Sequence, residues 1–158
     1  YRANIVCSEG CAGCCSLSSV FAVEAHAMVL AAGRMHPKER WALFERAASL
    51  RERAALKTDP GGEAGRCLFL LDDRCLVYEV RPVICRTHGY PLLVEGRVDY
   101  CPKNFTTLRT IESSFILDLD AVNTALAGIN IAFLKENKDP RFSRERMGTR
   151  ELLAMLGA

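Results

Sequence analysis

Read as apolar and polar positions, the chain splits into helical stretches around a middle section with no helical period. From Ser16 onward, Val20, Phe21, Val23, Ala27, Met28, Leu30 and Ala31 give a broad apolar face, which predicts a helix ending near Gly33. Ser16, Ser18 and Ser19 are its N-cap candidates, because a short hydroxyl can accept from a first-turn N–H. A second helix is predicted after His36-Pro37, where a proline suits the first turn. In it, Trp41, Phe44, Ala48 and Ala55 recur at helical spacing beside Leu43, Ala47, Leu50 and Ala54, and the other face is charged. Asp59-Pro60-Gly61-Gly62 breaks it. A third helix is predicted from about Asp118 to Glu136, with Val122, Leu126, Ile129 and Phe133 as its buried stripe. A short helix over about Thr149–Leu156 completes the chain.

The section between these helices carries hairpin signals. Leu68-Phe69-Leu70-Leu71 and Arg74-Cys75-Leu76-Val77-Tyr78 flank Asp72-Asp73. Leu92-Leu93-Val94 and Arg97-Val98-Asp99-Tyr100 flank Glu95-Gly96 in the same way. Strands this short need outside support, which a metal site can supply. The expected fold is therefore mainly α. It is a single domain over residues 1–158, with three main helices packed against a cysteine-rich irregular region with short β-hairpins.

Composition narrows the class. Of the 158 residues 49% are apolar and 25% charged, as in ordinary globular proteins. A net charge of +2 gives no electrostatic case for a nucleic-acid partner. No apolar run approaches the roughly 20 residues that span a bilayer, and the Tyr1–Val6 segment is too short for a signal peptide. The expectation is a cytoplasmic protein with neither a membrane nor a nucleic-acid partner.

Cysteine changes the picture. There are eight, in two groups: Cys7, Cys11, Cys14 and Cys15, then Cys67, Cys75, Cys85 and Cys101. In the first, Gly10 and Gly13 permit the left-handed turns that wrap a loop around a metal. Two adjacent side chains diverge, so Cys14 and Cys15 suit a polynuclear centre better than one tetrahedral ion. Both stand just before the predicted first helix, where the dipole lowers thiol pKa. The wide spacing of the second group is not that of a zinc ribbon, so the fold must gather it. Arg66, Arg74, Arg81 and Arg86 lie among these cysteines and could offset thiolate charge. Structural disulfides fit a helix-rich chain of this size poorly, and inert buried cysteines do not account for eight. Cys7-x3-Cys11-x2-Cys14 has the spacing of radical S-adenosylmethionine enzymes. However, Gly13 stands where they usually carry an aromatic, and the strand–helix repeat of their barrel is missing.

The combined pattern resembles a known family. Cys7, then Cys11-x2-Cys14-Cys15, is similar to the cysteine run of the YkgJ-type CxxCxxCC proteins, with three residues rather than two between Cys7 and Cys11. Cys67-Leu68-Phe69-Leu70, Cys75-Leu76-Val77-Tyr78-Glu79-Val80-Arg81-Pro82, Cys85-Arg86 and Cys101-Pro102 resemble the rest, over roughly residues 7–102. The resemblance implies zinc or iron chelation through these cysteines. It also implies a link to flagellin lysine methylases, which carry a similar cluster.

Other positions have structural readings. Pro82 would set the turn that delivers Cys85, Arg81 would donate to a thiolate or carbonyl, and Glu79 would pair with an arginine. Cys85-x2-His88 has ligand spacing, with His88 a substitute ligand if one cysteine is not used. His26 reads as core, His36 as helix-terminal, and Asp118 and Asp120 as helix-capping. The reading is a metal-binding protein with Cys7, Cys11, Cys14, Cys15, Cys67, Cys75, Cys85 and Cys101 as ligands. The metal would be iron in an iron–sulfur cluster of the four-iron type, or alternatively zinc, in structural, electron-transfer or metal-handling service. The rival is a metal-dependent modifying enzyme, methyltransferase-like or redox, with the cluster in or near its active site.

Overall fold

The computed structural model describes residues 2–16, 19–56 and 66–156. After the N-terminal cysteine loop, β1 (Ser19–Phe21) leads straight into α1 (Ala22–Gly33), and α2 runs over Pro37–Leu56. The first hairpin is β2 (Leu70–Leu71) and β3 (Arg74–Cys75), followed by the single-turn α3 (Val83–Thr87). The second is β4 (Leu92–Val94) and β5 (Arg97–Asp99). Then come β6 (Leu117–Asp118), α4 (Leu119–Glu136), β7 (Arg146–Gly148) and α5 (Thr149–Leu156).

The fold is mixed rather than mainly α, which corrects the expectation from the helical periodicities. Three small sheets lie among the described residues: β1–β7, β2–β3 and β5–β4–β6. Both predicted hairpins form, and their turns explain why. Asp72 and Asp73 take φ of 47° and 59°, and Glu95 and Gly96 take 49° and 76°, the left-handed pairs of a two-residue hairpin turn. The periodicity could not reveal the two long-range pairings. β1 pairs antiparallel with β7, Ser19 opposite Gly148, and β4 pairs parallel with β6.

The first helix therefore begins at Ala22 rather than near Ser16. Ser19 is committed to the sheet, and Phe21 is the N-cap. The cap is closed by Glu24, whose Oε2 accepts from the Phe21 N–H at 3.1 Å. Ser18 lies outside the described residues, as does the predicted break at 59–62. Asp118 caps α4 as expected, accepting from the Ala121 N–H at 2.9 Å. Within α4 the predicted stripe holds at Val122, Leu126 and Phe133, which are half-buried, and fails at Ile129. Ile129 is 57% exposed, and Asn130 beside it is fully buried. Its Oδ1 accepts from Val23 N–H at 3.0 Å, and its Nδ2 donates to the Glu145 carbonyl at 3.1 Å. That crosspiece joins α1, α4 and the segment before β7. It turns α4 so that the polar residue faces inward.

The core is built on α1. Ala22, Ala25 and Met28 pack with Leu43 and Ala47 of α2, Leu68–Leu70, Phe142, Met147 and Leu152. Trp41 faces outward, and among the described side chains of α2 the buried ones are Leu43 and Ala47. His26 packs edge-on against Phe142 and tilted against Phe133, at centroid distances of 5.1 and 5.3 Å.

Candidate metal centre

All eight cysteines lie among the described residues, and all are thiols. They fall into two sets. The inner set lies against the core. Cys67 is buried, and Cys15 and Cys75 pack on the same cluster as Phe69. The Cys67 N–H donates to the Cys15 carbonyl at 2.7 Å, tying the N-terminal loop to the start of the first hairpin. Leu70 donates back to the Cys67 carbonyl at 3.2 Å and pairs with Cys75 across β2–β3. That hairpin brings Cys67 and Cys75 together.

Cys85 reaches the same place on α3. Pro82 is the N-cap of this helix, the turn-setting role its sequence position suggests. The free Val83 N–H is taken by Glu24 of α1, whose Oε1 accepts at 2.8 Å. The arginines nearby brace the backbone. Arg81 lies over the Tyr78 ring at 3.7 Å and donates to the Tyr78 carbonyl at 2.9 Å. Arg86 donates to the Arg81 carbonyl at 2.9 Å and to the Glu79 carbonyl. Arg66 pairs with Asp73, and Arg74 with Glu9.

The thiols of this set shape one another electrostatically. Burial pushes Cys85 up to about 12, and the neighbouring Cys67, Cys75 and Cys15 sulfurs and the Glu24 carboxylate add to it. Cys75 is raised by burial, against a backbone hydrogen bond at Val77 and the charge of Arg81. Cys15 is raised by burial, by Cys75 and to a lesser extent by Cys11, against a hydrogen bond from Cys14 and the charge of Arg66. Arg66 and Arg81 thus supply the compensating charge expected of them. The expected helix-dipole effect on Cys14 and Cys15 is overturned. The helix begins only at Ala22, and desolvation raises both thiols instead of lowering them.

The outer set lies toward solvent. Cys7 and Cys14 are exposed, Cys11 and Cys101 half-buried. The segment before Cys7 is strapped to the segment after Cys101. Val6 N–H donates to Asn104 Oδ1 at 3.0 Å, and Phe105 N–H donates to the Asn4 carbonyl at 2.9 Å. Asn104 is 1% exposed and sits between the two cysteines. Its Nδ2 donates to the Gly89 carbonyl at 2.8 Å and approaches Cys7 Sγ at 3.6 Å, and its N–H donates to the Cys101 carbonyl at 2.9 Å. Gly89 has φ of 95°, and a Cβ there would lie 3.0 Å from Asn104 Nδ2, 3.3 Å from Cys7 Sγ and 3.9 Å from the Cys101 Cβ. Cys14 is raised chiefly by burial, then by Cys15, with smaller contributions from Cys7 and Cys11.

Among the described residues, no three cysteine, histidine, aspartate or glutamate side chains converge tightly enough to hold an ion as they stand. Closing on a metal requires the thiols to turn toward one another. The donor set nonetheless fits such a metal: a backbone bond ties Cys15 to Cys67, Asn104 ties the Cys7 segment to Cys101, and thiolate-only sites take zinc or iron–sulfur. His88 is exposed at the C-terminus of α3. Sequence reading missed Glu24 and Asn104. Neither lies in a recognisable motif, because each acts on a backbone group far away in the chain.

These features define a thiol-rich metal-chelating domain. Residues 6–104 match the model of the CxxCxxCC family, described as "Putative zinc- or iron-chelating domain". The chain belongs to this family. No match is found among curated proteins or among solved structures.

Proposed function

We propose that the protein binds metal through the thiolates of Cys7, Cys11, Cys14, Cys15, Cys67, Cys75, Cys85 and Cys101, with iron held as an iron–sulfur cluster. The observation that carries this reading is the meeting of Cys15 with Cys67, Cys75 and Cys85, across some fifty to seventy residues of chain. Desolvated thiols crowded together raise one another's pKa, and a cation is what relieves that repulsion. The family's chelating character supports metal binding in general. Zinc is the second reading, supported by the family's description, which covers zinc as well as iron, and by the all-thiol donor set, which suits either. A reducing compartment such as the cytoplasm keeps these thiols available. The whole of residues 1–158 is read as one domain.

The test is protein purified without oxygen and analysed for metal and acid-labile sulfide. Iron with sulfide and a brown colour supports the cluster. Zinc alone in colourless protein replaces it with the second reading. Absence of both metals, with thiols oxidised to disulfides, overturns metal binding altogether.

A further inference from the structure

We propose that the eight cysteines form two separate metal sites, an inner one of Cys15, Cys67, Cys75 and Cys85 and an outer one of Cys7, Cys11, Cys14 and Cys101. The proposal rests on the metal-binding reading above and adds how the ligands divide and what each site is for.

The division follows the backbone. Cys15 and Cys67 are joined by a main-chain hydrogen bond of 2.7 Å, and Cys75 lies across the hairpin from Leu70, itself bonded to Cys67. Cys85 enters on α3, whose first N–H is fixed by Glu24 of the buried α1. Three of these are mounted on the core, Cys67 within the buried cluster and Cys15 and Cys75 packed on it. The other four are mounted elsewhere. Cys7 and Cys101 flank the same glycine, at 3.3 Å (Sγ) and 3.9 Å (Cβ) from where a Gly89 side chain would begin, and Asn104 binds both segments. Cys11 and Cys14 share the short loop with Cys7, where the Cys11 N–H donates to the Ser8 carbonyl at 3.0 Å.

Cys14 and Cys15 are the boundary. Adjacent residues cannot both face one tetrahedral ion comfortably, but they can serve two sites that share an edge. The awkward pair then has a purpose: each cysteine opens onto a different centre. The two sites differ in access. A metal at the inner site is held by the hydrophobic core, so its loss is coupled to unfolding. A metal at the outer site has two exposed cysteines beside it and can be exchanged with the folded domain intact.

The experiment counts zinc bound to the reduced full chain by native mass spectrometry, for the parent protein and for Cys101→Ser and Cys85→Ser. Two zinc ions per parent chain and one per Cys101→Ser chain, with unchanged far-ultraviolet circular dichroism, is the expected result. Cys85→Ser should also lose one ion. If it fails to fold, Cys101→Ser and a competing chelator applied to the parent protein still decide the matter, the chelator removing one ion quickly and the other only as the fold is lost. A single zinc per parent chain, lost in Cys101→Ser, would mean one shared centre. That overturns the division and leaves metal binding intact. No zinc on any of the three, together with no iron on the parent protein purified without oxygen, overturns the metal-binding reading itself.

Discussion

The Glu24 carboxylate accepts a hydrogen bond from the Val83 N–H at 2.8 Å, across 59 residues of chain. Its other oxygen closes the N-terminus of its own helix at Phe21. One side chain therefore caps two helices and sets where α3 carries Cys85 relative to the core. Glu24→Ala removes both acceptors and leaves two helix N–H groups without partners. A loss of about 1–3 kcal/mol is expected, with lower metal content, measured by urea unfolding and metal analysis of the same sample. Unchanged metal content would show that α3 is held by other contacts.

Asn130 is the corresponding tie between α1, α4 and β7. Asn130→Leu keeps the bulk but strands the Val23 N–H beside an apolar group and leaves the Glu145 carbonyl with only its bond from the Ala22 N–H. It should destabilise by about 1–3 kcal/mol in thermal or urea unfolding. A neutral result would mean that water replaces both bonds.

Gly89 and Gly96 form a matched pair. Both have positive φ, but a Cβ at Gly96 meets open space, whereas one at Gly89 meets Asn104 and Cys7. Gly96→Ala should cost about 1–2 kcal/mol, from backbone conformation alone. Gly89→Ala should cost more and also displace Cys7, reducing the metal bound per chain. Equal effects from the two substitutions would argue that the Gly89 contact does not matter to Cys7.

The buried thiols make a prediction for the metal-free protein. Folding raises the Cys85 pKa from the ordinary thiol value of 9.0 to about 12. A raised folded-state value means the contribution to stability is complete below pH 9.0 and lost as the pH rises toward 12. Cys14, Cys15 and Cys75 shift in the same direction. Urea midpoints of the reduced, metal-free chain should therefore fall steadily above pH 9.0. Metal binding to these thiols releases protons, so the loaded protein should gain metal affinity over the same rise. A flat stability profile for the metal-free chain would show that these thiols are solvated.

What was legible in the sequence is what local chemistry determines. Asp72-Asp73 and Glu95-Gly96 marked the hairpins because left-handed turn residues sit beside apolar runs. Pro37 and Asp118 marked helix starts. β1 was hidden because Ser19–Phe21 is three residues long and its partner is Arg146–Gly148. No local period reports a pairing at that separation. It also moved the start of α1 and removed the dipole from Cys14 and Cys15. The α4 stripe failed at Ile129 because Asn130 makes two bonds that only the assembled fold offers. The eight ligand candidates were plain from their types and spacing. Their grouping was not, because Cys15 belongs in sequence with Cys14 but in space with Cys67.

The crossing of β1 with β7 bears on how the cysteine region can be handled. Phe142, Met147 and Leu152 are almost completely buried, and they lie beyond residue 104, where the family match ends. They cover the helix that follows the cysteine loop, and the Ala22 N–H itself donates to the Glu145 carbonyl at 3.1 Å. A fragment cut at the family boundary would keep every cysteine and lose the wall behind them. The cysteine run is therefore not a cassette to be lifted into another protein, and its scaffold is drawn from sequence that carries no cysteine.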